Sequence, residues 1–193
     1  MAQRTVHYES AFEHFLRLNR IPYVAVDEAK KTLLRPKAGP AGHALTDPSL
    51  GSAKSFDFLV TAEASKWLVD VKGRRLPLSR RHESRSRAPA SRPMRLESWV
   101  TQADVDAMNR WGRVFGDGFE AVFVFVYWCS AQPPDSLFED VFHHRGRWYA
   151  MRAVKVDHYQ RVMTTRSPSW MTLHVAADQF DRISRPVRQM LEK

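Results

Sequence analysis

Two apolar runs carry acids in their interiors: Ser55-Phe56-Asp57-Phe58-Leu59-Val60, and then Trp67-Leu68-Val69-Asp70-Val71-Lys72. Both have the aromatic and β-branched content of strands, and the polar stretch Thr61 to Lys66 between them reads as a turn, so the pair predicts a hairpin. Period-two alternation puts Trp67, Val69 and Val71 on one face of the second strand and Asp70 with Lys72 on the other. In such a hairpin Asp57 and Asp70 come within reach of one cation. Two carboxylates about 4 Å apart repel by roughly 4 kcal/mol at an effective dielectric of 20. Folding tolerates this if a cation binds or one acid is protonated. Oxygen ligands alone select a hard ion, Mg²⁺ or Mn²⁺. Such an ion polarises a phosphodiester and acidifies a bound water, and Lys72 beside it offsets charge on the transition state. The plainer alternative is an outward charge at Asp57 and a surface ion pair between Asp70 and Lys72 worth under about 1 kcal/mol.

Upstream, a helix is expected from about Thr5 to Asn19. Tyr8, Ala11, Phe12, Phe15, Leu16 and Leu18 make one apolar arc, with Glu9 at its rim and Glu13 further toward water. Ile21 to Val26 reads as a strand opened by Pro22, and residues 36–53, rich in Pro, Gly, Ala and Ser, as loop. Downstream, Gly73 is expected to end the Asp70 strand. Thr101 with Asp104 forms a capping box before the helical spacing Val105, Met108, Trp111 and Val114–Phe115. Phe119 to Trp128 is apolar on both faces, the mark of a central strand. A hairpin turning at His143–Gly146, a short helix near Val156–Met163, a strand near Trp170–Val175 and a helix from Ala177 to Glu192, bent or split at Pro186, complete the chain. The order predicts an α/β fold with a mixed sheet.

The net charge of +9 is concentrated. Segment 73–95 holds eight arginines against Glu83, +7 of the total. A local excess of this kind points to a polyanion, and arginine suits phosphate forks. Arg74, Arg75, Arg80, Arg81, Arg85 and Arg87 are the candidate nucleic-acid contacts, on a basic segment expected to be a mobile loop. The alternative is a solvated loop whose arginines aid solubility. One cysteine, Cys129, excludes an intrachain disulfide framework and a multi-cysteine zinc site. The longest apolar run, Ala121 to Cys129, is far too short to span a bilayer, and the charged N-terminus has no signal-peptide core. These features lead to the expectation of one cytoplasmic domain over 1–193.

The helix with Glu9, then Phe56-Asp57-Phe58-Leu59, then Leu68-Val69-Asp70-Val71-Lys72-Gly73-Arg74 resembles the PD-(D/E)XK, or restriction-endonuclease-like, superfamily. The metal-binding acid of that pattern matches Asp57, the (D/E)XK triplet matches Asp70-Val71-Lys72, and the helix-borne glutamate matches Glu9. Phe56 stands where many members carry proline. His7-Tyr8-Glu9-Ser10-Ala11-Phe12-Glu13 also resembles the opening signature of the bacterial HYExAFE family. The resemblance implies a mixed central sheet flanked by helices, with extra C-terminal strands and a helix. It implies a Mg²⁺- or Mn²⁺-dependent deoxyribonuclease, endonuclease rather than exonuclease. Glu9, Asp57 and Asp70 would be the metal ligands and Lys72 the further catalytic residue. DNA is the expected partner, with RNA left open, and a homodimer is one option for the oligomeric state. Two other readings share these residues: a catalytically inactive nucleic-acid-binding module on the same fold, and a protein-interaction domain.

Overall fold

The computed structural model describes residues 6–26, 54–62, 65–76, 96–133 and 139–192. Helix α1 spans Val6–Leu18, and its apolar arc buries Ala11, Phe12, Phe15 and Leu16. Strands β1 (Tyr23–Ala25), β2 (Phe58–Thr61) and β3 (Lys66–Leu76) form an antiparallel meander. Strand β4 (Val100–Thr101) runs into helix α2 (Gln102–Phe115), which is capped as its sequence predicts: the Thr101 hydroxyl accepts the Asp104 N–H, and the Asp104 carboxylate accepts the Thr101 N–H at 2.8 Å. Strand β5 (Phe119–Cys129) pairs parallel to β3 along its whole length, from Lys66 opposite Phe119 to Leu76 opposite Cys129.

Strands β6 (Val141–His144) and β7 (Arg147–Lys155) make the expected hairpin, turning on Arg145 and Gly146. Both turn residues have positive φ, 48° and 76°, the requirement of a type I′ turn that matches strand twist. After them come helix α3 (Val156–Val162), strands β8 (Thr164–Ser167) and β9 (Thr172–His174), and helices α4 (Ala177–Ile183) and α5 (Val187–Leu191). Pro186 splits the last two, and the Val187 N–H exposed by the break is taken by the buried Asp140 carboxylate at 2.6 Å.

The main sheet has the order β1-β2-β3-β5-β7-β6, and a small sheet has the order β4-β9-β8. Helices α1 and α5 cover one face of the main sheet over Trp67, Val69, Val71, Val122, Val124 and Val126. The other face carries Leu68, Leu76, Phe123, Phe125 and Tyr127, packed with residues of α2, α3, α4 and the small sheet. Strand β5 is buried on both faces, as its unbroken apolar run requires, and each large side chain buried there contributes about 1.5–3 kcal/mol.

The end of β3 departs from expectation. The strand continues past Gly73 to Leu76, because β5 supplies hydrogen-bonding partners that far. Gly73 serves a close approach instead: a Cβ there would lie 2.1 Å from Cδ2 of Tyr8, so only glycine lets the Tyr8 ring lie on the sheet. Residues 77–95, with Arg80, Arg81, Arg85 and Arg87, lie outside the described residues. Residues 36–53 do so as well. Among the described residues no helix is long and apolar enough to cross a membrane.

Candidate active site

Asp57 sits where β2 and β3 part. Its N–H donates to Val69 O at 2.7 Å, its carbonyl accepts the Val26 N–H at 2.8 Å, and its Oδ2 accepts the Val71 N–H at 2.7 Å. The side chain thus takes over the β3 hydrogen bond that a longer β2 would have made. The chain turns here: Phe58 packs in the α1-side core, while Phe56 packs in the core on the α2 side. This local break holds a carboxylate against the edge of β3, level with Asp70.

Asp70 and Lys72 point to the α2 face, as alternation requires, and are 3% and 7% exposed. An ammonium at that depth must be paired. Lys72 Nζ lies 2.6 Å from Asp70 Oδ2 and 3.0 Å from Asp104 Oδ1, so it bridges the strand and the first turn of α2. Asp104 also receives the ammonium of Lys54. One carboxylate therefore caps α2 and anchors two lysines. Its sequence signal was the capping box, which explains an acid at that position without a second role; Lys54 stood in no motif.

The electrostatics are uneven. Burial, the Asp70 carboxylate and, more weakly, Glu9 raise the Asp57 carboxyl to about 7, outweighing the Val71 N–H and Lys72. Burial also raises Asp70, against the pull of Lys72 and Lys54. For Asp104 the cost of burial is outweighed: Lys72, Lys54 and the Thr101 N–H hold it well below the usual carboxylate range. Burial opposes the charge on Lys54 too, but Asp70 and Asp104 push its ammonium up to about 12. Asp57 and Asp70 are the two acids whose charge this site disfavours, both through burial and Asp57 also through the Asp70 carboxylate.

Two neighbouring acids held above the usual carboxylate range fit a divalent cation with a preference for oxygen. Asp57 and Asp70 would hold it, with Glu9 approaching from α1. Among the described residues no three His, Cys, Asp or Glu side chains are gathered closely enough to hold a metal ion by themselves. The Lys72 bridge draws Asp70 toward Asp104, and Glu9 interacts with Asp57 across the sheet edge.

The basic candidates separate. Arg74 was expected to face phosphate, and the structure corrects this: it follows the Asp70–Lys72 alternation inward and is 8% exposed. Its guanidinium lies 3.8 Å from the centre of the Trp99 ring and donates to Gly73 O and Trp99 O. Arg75, one residue on, is exposed on the opposite face. Glu13 is tied to Arg17 and Tyr23, away from the site. His143 and His144 lie at the end of a strand beside a turn, and Cys129 is buried.

No family model matches the sequence, and neither does any curated protein. Among solved structures the chain is similar to Hjc, a Holliday junction resolvase from Archaeoglobus fulgidus, an archaeal hyperthermophile. The TM-score is 0.50 and the identity 11%, over 96% of this chain and 98% of that one. At this identity the likeness speaks to architecture, and it agrees with the sheet order and the helices on both faces: the chain has the restriction-endonuclease-like fold.

Proposed function

We propose that this protein is a metal-dependent deoxyribonuclease that hydrolyses phosphodiesters endonucleolytically, with branched DNA the first substrate to try because its structural neighbour is a Holliday junction resolvase. The observation that carries the reading is the half-buried Asp57 and the buried Asp70, close enough to raise the Asp57 carboxyl, at the parting of β2 and β3 with Lys72 alongside, on a resolvase-like fold. Bound Mg²⁺ or Mn²⁺ would supply Lewis-acid polarisation of the phosphate and a more acidic water. Asp57, Asp70 and Glu9 are its proposed ligands. Lys72 offsets negative charge that develops on the phosphate oxygens, and Asp104 is a positioning residue that fixes where the ammonium stands. The working place of such an enzyme is the cytoplasm, where DNA is at hand.

A second reading has its own observation. Lys72 already pairs with both Asp70 and Asp104, and among the described residues no three acids are gathered. A silent DNA-binding module on this fold would look the same. Cleavage of a labelled four-way junction, a duplex and a single strand with Mg²⁺, Mn²⁺ or EDTA separates the two. The nuclease cuts at least one substrate with metal, and Asp70→Ala lowers the rate by at least about 100-fold. Salt-sensitive binding without cleavage in either metal selects the silent module.

A further inference from the structure

On the α1 face of the sheet, beyond Gly73, one row of side chains crosses three strands. Arg75 on β3 is in register with Trp128 on β5, and Trp128 with Tyr149 on β7. Arg147, two residues before Tyr149, shares its face. The Arg75 guanidinium lies 5.1 Å from the centre of the Trp128 ring and that of Arg147 lies 4.8 Å from it. Both arginines are exposed, and among the described residues neither has a carboxylate partner. Two like charges drawn to one indole repel each other, and an anion relieves that repulsion.

The first turn of α1 completes the row. His7 Nδ1 is 3.1 Å from the Tyr149 hydroxyl, and its ring centre is 6.0 Å from that of Trp128. Arg147 interacts with the same hydroxyl. Two residues beyond His7, Glu9 interacts with Asp57. The turn that touches this row therefore also reaches the candidate active site.

We infer that Arg75 and Arg147, held against Trp128, form a binding platform for successive phosphates of a DNA strand. The inference rests on the nuclease reading and deepens it, by naming the surface that grips the backbone. Resting against an aromatic ring limits each guanidinium's motion and leaves N–H groups for phosphate oxygens. The indole is already engaged by the two cations and half-buried, so the platform reads backbone and not base. Its grip is independent of sequence.

The test uses the full chain with Asp70→Asn, without metal, so that binding is measured apart from cleavage. Fluorescence anisotropy of a labelled duplex is followed from about 50 to about 200 mM salt. Each phosphate contact contributes roughly 0.9 to the slope of log K against log salt, so adding Arg75→Gln and Arg147→Gln flattens the slope by about 1.8. Unrelated duplex sequences lose affinity equally. Arg75→Lys with Arg147→Lys keeps most of the slope yet binds more weakly, because charge remains and the fork is lost. Arg113→Gln with Arg182→Gln, exposed arginines elsewhere, leaves the slope unchanged. A slope unaltered in the Arg75/Arg147 glutamine variant overturns the platform while the nuclease reading stands. A parent protein that binds no DNA at low salt overturns both.

Discussion

Asp57 is held where its charge is disfavoured, and the consequence is measurable. Its folded pKa, raised to about 7, lies above its ordinary value. Between about pH 4 and about pH 7 the folded protein therefore holds more protons than the unfolded chain. Stability from this group is present below the ordinary carboxylate range and is lost as pH rises through about 7. Without metal, Asp57→Asn is expected to melt higher than the parent at pH 8 by roughly 1–2 kcal/mol, about 2–8 °C, with the gap narrowing as pH falls through about 7 and closing near pH 4. Thermal melts across pH check this, and a parent that gains stability from pH 5 to pH 8 relative to Asp57→Asn would refute it. Lys72→Met should lower the cleavage rate about 100-fold or more, while Asp70→Ala and Lys72→Met bind DNA comparably in EDTA. At this scale the sequence was readable where one rule acted alone. Alternation placed Asp70 and Lys72 on one face. The same alternation carried through Gly73 sends Arg74 inward, but a glycine taken as the strand's end concealed it. Asp104 was masked because capping is a sufficient reason for an acid at that position.

Elements meet here through specific side chains. Helix α1 is seated on β3 by Tyr8 lying over Gly73, and that contact also sets the height of Glu9 and His7 above the sheet. Gly73→Ala would force the ring off its seat. A loss of about 1–3 kcal/mol is expected, and Tyr8→Ala combined with it should cost less than the two single changes added together. Denaturant unfolding of the four proteins in this cycle provides the check, and strict additivity would show that the two residues are not coupled. The long strand β3 was underestimated at the sequence level because its last residues pair, among the described residues, with β5, a partner distant in sequence. Strand β8, Thr164-Thr165-Arg166-Ser167, was invisible for a different reason: three of its four residues are exposed, so no apolar alternation marks it. Its strand geometry comes from pairing with β9.

For the whole molecule, two features place chemistry at one end of one sheet. The antiparallel β2 stops early against β3, creating an edge for Asp57, and α2, packed on the same face as Asp70, brings Asp104 to Lys72. The broad architecture was legible because helix and strand periods alternate along the chain and β5 is apolar on both faces. The fine geometry was not, since the site is assembled from α1, the β2–β3 edge and the start of α2, which only the folded sheet aligns. Two carboxylates whose charge is disfavoured at that point make a general prediction: Mn²⁺ stabilises the folded state by mass action, raising the melting temperature of the parent with concentration, and does so far less for Asp57→Asn. The most direct measurement is anomalous diffraction from crystals soaked in Mn²⁺. The account predicts a peak bonded to oxygens of Asp57 and Asp70; a peak elsewhere, or none with both carboxylates ordered, would contradict it.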